Sequence, residues 1–219
     1  REFIMKDGYS FHIDRTSFDQ TYDKMYTCYS SILTEMDLDY RAVEADSGNI
    51  GGQKSHEFHV LSDIGEDTIV CASEGGYAAN LEAAVAQKSE PTDLPLHELT
   101  EIATPGVKSI EELSAFLNIP ASSTLKTLIV RVSNRGEETT GKNSFLAVAL
   151  RGAHDLNLTK LAKQEEVSGE ITLASEDEVR KILEAPIGFV GPINCGLKVL
   201  IDHEAFVSNN LVCGGNEVG

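Results

Sequence analysis

No C-x-x-C pair occurs in this sequence, and its four cysteines (Cys28, Cys71, Cys195, Cys213) stand far apart. That spacing points to neither a zinc knuckle nor a disulfide framework, so reduced and mostly buried thiols are expected. No apolar run approaches the ~20 residues of a membrane span, and no signal-peptide pattern is visible. These absences predict a cytoplasmic protein. Positive charge is scarce: 18 Lys and Arg against 35 Asp and Glu give a net charge of −17. A stand-alone nucleic-acid binder shows the opposite balance, because phosphate contacts dominate its affinity. Any nucleic acid is therefore expected at a local site or through a partner. There is no P-loop, no dinucleotide fingerprint and no Ser/His/Asp triad to declare a chemistry. Tryptophan is absent too, which excludes nothing.

What is present suffices for one large domain or two small ones, at 219 residues with 41% hydrophobic and 24% charged content. Tyr22, Met25, Tyr26, Tyr29, Ile32, Leu33 and Met36 fall on one helical face and predict a helix over 18–36, with Ser17 and Gln20 as a capping box and the stripe as core. The stretches LDYRAV, HEFHVL and DTIVCA read as short strands joined by Gly-rich turns, hence an antiparallel sheet carrying one helix. From 74 to 100 the Gly pair, the Ala-rich run and the prolines predict a boundary and linker between a first domain, 1–73, and a second, 101–219. In the second, SIEELSAFL and SEDEVRKIL are helices with Ser109/Glu112 and Ser175/Glu178 capping boxes, LNLTKLAKQ is a third helix, and TLIVRV, SFLAVAL and LKVLID are strands. Alternation of this kind predicts a compact mixed α/β fold.

Several stretches carry chemistry-bearing residues, each with a plain structural reading beside it. REFIMKDGYSFH crowds charge and aromatics in the manner of part of a site. HEFH places His56 and Glu57 on opposite faces of a strand, and its spacing is not that of a zinc helix. Lys126 opens an apolar strand, where it is a solvated end or a point-charge donor to phosphate. Gly152 and His154 follow a strand, as a plain turn or as a close backbone approach with a proton carrier. PIGFVGP sets Gly188 and Gly191 between prolines, and Asp202 closes an apolar strand.

Taken in order, REFIMKDGYSFH, TYDKMY, LDYRAVEADSGNIGG, SHEF, GEDTIV and GYAAN resemble the end of motif 2 and the following catalytic core of a class II aminoacyl-tRNA synthetase, of the bacterial prolyl-tRNA synthetase type. TLKTLIV, LRGAHDLN, GFVGP and VLID resemble the editing domain inserted into that core. The resemblance implies a partial class II antiparallel sheet followed by a mixed α/β editing domain. It implies that Arg1, Glu2 and Phe3 lie in an ATP pocket, with Mg2+ in the full-length enzyme. It also implies that Asp7, Tyr9 and His56 line the proline side, shaped by Glu57 and the 48–52 loop. For editing it implies hydrolysis of alanine misattached to tRNA(Pro), without cofactor or metal. Lys126 would hold the terminal adenosine region or its phosphate, Gly152 and the Gly188–Gly191 loop would offer N–H groups to the ester carbonyl, Asp202 would orient the substrate, and His154 would be a further polar participant. Tests of this reading must separate it from a free-standing trans-editing deacylase and from a noncatalytic tRNA- or protein-binding module. Missing motif 1, motif 3, the motif 2 arginine and an anticodon domain predict that these 219 residues do not activate proline. The resemblance also implies a histidine shortly beyond Gly219, without which the editing site is expected to lack one group. The full-length family is typically a homodimer.

Overall fold

The computed structural model describes Glu2 and residues 4–45, 54–91, 93–133, 144–167, 169–183 and 185–219. The chain divides into two units, Arg1–Val85 and Ala86–Gly219. Each is a mixed α/β structure built on its own sheet.

In the first unit, helix α1 (Arg15–Glu35) begins three residues before the expected start. Its cap is Asp14, whose carboxylate accepts the Ser17 N–H at 2.7 Å, rather than Ser17 itself. Strands β1 (Tyr40–Glu44), β2 (His56–Val60), β3 (Ile69–Cys71) and β4 (Ala78–Asn80) form one sheet in the order β2-β1-β4-β3. β1 pairs antiparallel with β2, β4 antiparallel with β3, and β4 meets β1 in parallel at Glu44 and Ala79. The aromatic stripe of α1 packs on this sheet. Tyr26 lies 5.2 Å from the His56 ring and 5.1 Å from Phe58, and Tyr29 lies 5.6 Å from Phe58. The stripe is nevertheless half exposed, with no fully buried residue in α1.

The second unit holds helices α2 (Ile110–Leu117), α3 (Leu158–Ala162), α4 (Glu176–Leu183) and α5 (His203–Phe206). Its strands are β5 (Thr124–Ser133), β6 (Ser144–Arg151), β7 (Glu170–Leu173), β8 (Lys198–Ile201) and β9 (Val212–Cys213). They run in the order β7-β5-β6-β8, and β9 lies parallel along the start of β5. β6 is antiparallel to β5 and parallel to β8. β6 is buried on both faces, which is why SFLAVAL is an unbroken apolar run rather than an alternating one. Val130, Val132, Leu146, Val148 and Leu150 share one face of the sheet with Leu161 of α3. Ile129 and Ala147 face the other way, onto Val179 of α4 and Cys195. Each large side chain buried here contributes about 1.5–3 kcal/mol relative to exposure.

Both expected capping boxes in this unit form. Glu112 N–H donates to Ser109 Oγ at 3.2 Å and Ser109 N–H to Glu112 Oε2 at 3.1 Å. Glu178 N–H donates to Ser175 Oγ at 3.4 Å and Ser175 N–H to Glu178 Oε2 at 2.8 Å.

The 74–100 stretch, expected as a linker, is divided between the units. Residues 78–80 are β4 of the first, while residues 89–97 are fastened to the C-terminal part of the second. Ser89 Oγ donates to Glu204, Asn209 Nδ2 to Leu94 O at 3.0 Å, and Asn210 Nδ2 to Pro95 O at 2.9 Å. His97 N–H donates back to Asn210 Oδ1 at 2.9 Å. A linker reading from composition misses this because the partners lie more than a hundred residues away. The thiols also depart from expectation: Cys28 and Cys71 are exposed and only Cys195 is fully buried. Among the described residues no helix is long and apolar enough to cross a membrane.

Candidate functional site

Strand direction decides where the candidate residues of the second unit meet. Because β6 runs against β5 and along β8, the start of β5 and the ends of β6 and β8 lie at one end of the sheet. Lys126 stands opposite Leu150, and Ala149 opposite Ile201. Gly152 and His154 follow β6, and Asp202 follows β8, with its N–H donated to Ala149 O at 2.9 Å. Loops at the end of a rigid sheet are where binding groups are commonly held.

Lys126 is flanked by carboxylates. Its Nζ lies 3.3 Å from Asp155 Oδ1, an exposed partner that holds it weakly. Glu111 is also near: hydrogen bonds from its own backbone N–H and from the Ser109 hydroxyl hold its carboxyl below the usual range, and the Lys126 ammonium adds a smaller pull. His154 Nδ1 stands 4.0 Å from Asp202 Oδ1, both about half exposed. Asp202 also caps α5, accepting the Glu204 N–H at 3.1 Å.

Sequence reasoning passed over two neighbours, Arg151 and Glu204. Arg151 Nε donates to Ser122 O at 2.9 Å, and its Nη1 lies 3.7 Å from Glu204 Oε2. The Glu204 carboxyl is held below its usual range, first by the Ser89 hydroxyl and less by Arg151 and His154. The available signal was the Arg immediately before Gly152, but its acidic partner is 53 positions further along.

The glycines are explained by close approach. A Cβ on Gly152 would stand 2.0 Å from Thr124 Oγ1 and 2.9 Å from Ile110 Cγ2. A Cβ on Gly188, whose φ is +96°, would stand 2.9 Å from Lys108 O. The chain entering α2 thus sits against both, Lys108, just before the Ser109 cap, on Gly188 and Ile110, the first helical residue, on Gly152. Their main-chain donors differ from expectation. The Gly152 N–H already donates to Thr124 O at 2.8 Å, and the Gly191 N–H to Asn216 Oδ1 at 2.8 Å. Neither is free for an ester oxygen. The reason is tertiary: Gly152 closes the β5–β6 ladder, and Gly191 packs on Gly214, which brings Asn216 beside it.

Residues 104–219, just over half of the chain, match the profile of the aminoacyl-tRNA editing domain. The chain belongs to that family. Thr104 and Gly219, the two ends of the editing domain as matched, are joined by a hydrogen bond from Thr104 N–H to Gly219 O at 2.8 Å. Lys126, Gly152, His154, Gly188, Gly191 and Asp202 all fall inside the editing domain. Two crystal structures are also similar. One is of the hypothetical protein APE2540, at 23% identity and a TM-score of 0.36, over 45% of this chain and 58% of that one. The other is of a putative trans-editing enzyme for prolyl tRNA synthetase, at 20% identity and a TM-score of 0.36, over 46% of this chain and 59% of that one. This chain thus spans less than two thirds of either.

Outside the editing domain the candidate groups are more dispersed. Tyr9 Oη donates to Asp7 Oδ2 at 3.3 Å on an exposed segment. His56 is held by α1, its Nδ1 2.7 Å from Tyr22 Oη, and burial pushes the Tyr22 hydroxyl up. Among the described residues no hydrogen bond, ion pair or ring contact joins His56 to Asp7 or Tyr9. Glu57 is turned to the opposite face, 2.9 Å from His59 Nε2. Arg1, Phe3 and the 48–52 loop lie outside the described residues, and Glu2 is exposed. Two surface depressions of the first unit are lined by residues of α1 and by 59–69, and neither includes a candidate editing residue. Among the described residues no three His, Cys, Asp or Glu side chains are grouped as metal ligands.

Proposed function

We propose that the second unit hydrolyses the ester between a wrongly attached amino acid and the 3′ end of a tRNA. The observation that carries this reading is the editing-domain match over 104–219, within which the polar candidates gather at one end of the sheet. Water is the nucleophile. It adds to the ester carbonyl carbon, the bond to the ribose oxygen breaks, and that oxygen takes a proton to leave a free amino acid and an uncharged tRNA. Lys126 supplies a point charge to the terminal nucleotide, and Asp202 orients the aminoacyl end. Negative charge developing on the carbonyl oxygen calls for main-chain donors. The N–H groups of Gly152, Phe189 and Gly191 are already donated within the fold, so Gly188 and Val190 are the donors assigned here.

The substrate we assign is alanyl-tRNA(Pro), from the resemblance to bacterial-type prolyl-tRNA synthetases. A proline pocket rejects a smaller apolar amino acid by only about 1–3 kcal/mol, which calls for a second, hydrolytic site. In that setting the first unit belongs to a proline–tRNA ligase core using ATP and Mg2+. The family match is confined to 104–219, so it serves a deacylase acting in trans equally well. The test is deacylation of alanyl-tRNA(Pro) by the purified chain, with prolyl-tRNA(Pro) as control. Selective loss of alanine is expected. No hydrolysis by a chain folded by circular dichroism would overturn the reading. Binding of proline and ATP alongside deacylation would support the ligase setting, and deacylation without such binding the trans-acting one.

A further inference from the structure

One residue outside every candidate set controls the 186–193 loop. Asn216 makes three hydrogen bonds to it: its backbone N–H donates to Phe189 O at 2.8 Å, its Oδ1 accepts the Gly191 N–H at 2.8 Å, and its Nδ2 donates to Ile193 O at 2.8 Å. The bonds fall on alternate loop residues, 189, 191 and 193. Asn216 is in the left-handed region at φ 64°, which asparagine tolerates better than other side-chain-bearing residues. From there its amide serves as a surrogate main-chain unit, with donor and acceptor offered to residues two apart. Gly214, two residues before it, packs so tightly on the loop that a Cβ there would stand 2.5 Å from Phe189 O.

We propose that Asn216 is a positioning residue of the editing reaction: it sets the main chain of the 186–193 loop without touching the substrate. The proposal rests on the deacylase reading above. Its physical content is that a loop held from one side at 189, 191 and 193 presents the intervening main chain in one orientation. A misplacement of about 1 Å in such a loop can cost on the order of 100-fold in rate.

The fold supplies its own control. Asn210 is also left-handed, at φ 58°, and its amide likewise bridges residues two apart, Pro95 O and His97 N–H. That clamp holds a segment bearing no candidate site residue.

The test compares Asn216→Gly with Asn210→Gly in the full chain. Glycine keeps the left-handed backbone and the main-chain N–H, and deletes only the side-chain bonds. The expected result is a fall in kcat of roughly 10- to 100-fold for Asn216→Gly, with KM within about threefold. Asn210→Gly is expected to stay within about twofold. Asn216→Asp, which retains the acceptor for Gly191, is expected to recover part of the loss. Hydrogen exchange of the Gly191 amide should quicken in Asn216→Gly while those of Leu128 and Val148 stay protected. Equal kinetics in the two glycine variants, or an unchanged Gly191 exchange rate, overturns the proposal and leaves the deacylase reading standing. An inactive wild-type chain overturns both.

Discussion

Gly191 and Gly214 cross with their main chains in contact: a Cβ built on Gly191 would stand 1.7 Å from Gly214 O. No side-chain rotation relieves a clash with a carbonyl oxygen, so the crossing admits glycine alone. Gly191→Ala is expected to cost about 1–3 kcal/mol or more and to abolish deacylation. Gly215→Ala, where nothing lies within 4 Å, is expected to do neither. Thermal unfolding of the two variants decides it, and equal midpoints would remove the crossing as a constraint.

Lys126 is the candidate for the phosphate end of the substrate. Lys126→Ala should lower kcat/KM roughly 10-fold or more, the magnitude of one charge-assisted hydrogen bond, with the circular dichroism spectrum unchanged. The loss should shrink as salt is raised, because the contact is a charge pair at a partly exposed site. Unchanged turnover in this variant would remove Lys126 from the mechanism.

Asp202 has two roles that separate by substitution. Asparagine caps helices as well as aspartate does, whereas alanine loses about 1 kcal/mol. Asp202→Asn should therefore keep the wild-type unfolding midpoint while losing activity, if the negative charge orients the substrate. Asp202→Ala should lose both. Full activity in the asparagine variant would assign Asp202 to the α5 cap alone.

The Glu178 carboxyl is held below its usual range, first by the Ser175 N–H, then by the Ser175 hydroxyl and Arg131. Lys108 and Ser109 N–H groups do the same for Glu112. Folded values below unfolded ones mean that this stabilisation is complete above the unfolded carboxylate range and is lost as pH falls through the folded values. Urea midpoints should fall below about pH 5, and less steeply in Glu178→Gln. Parallel pH profiles in the variant and the wild type would sink the assignment.

Thiol labelling tests the fold independently of activity. Cys28 and Cys71 are exposed and should react first. Cys195 is buried against the α4 face, and burial pushes the Cys213 thiol up, leaving less thiolate to react. Two fast and two slow thiols are expected in the native chain, and four equal ones only after denaturation.

Local signals were read correctly where a few neighbouring residues settle the structure. The capping boxes of α2 and α4 and the apolar runs of β5 and β6 each depend on side chains within or next to one element. The α1 start was misplaced because Asp14 and Ser17 both offer a cap, and only the chain entering from His12 selects one. His12 Nδ1 lies 3.1 Å from the Ser17 hydroxyl, and Asp14 takes the N–H. Strand β9, β4 and the fastened 89–97 segment escaped because two- and three-residue strands and irregular straps carry no periodicity. Their partners are set by tertiary proximity.

The sequence by itself determined which residue types were available: the editing-domain stretches in order, the glycines of PIGFVGP, and Lys126, His154 and Asp202 at strand ends. Local propensity and family resemblance suffice for that, since both are properties of contiguous stretches. Only the tertiary structure decided which main-chain donors remain for chemistry. Gly152 spends its N–H on Thr124 and Gly191 spends its own on Asn216, 25 positions away. Such partners are chosen by the folding of the sheet, because a buried main-chain group must be satisfied by whatever the packing brings beside it.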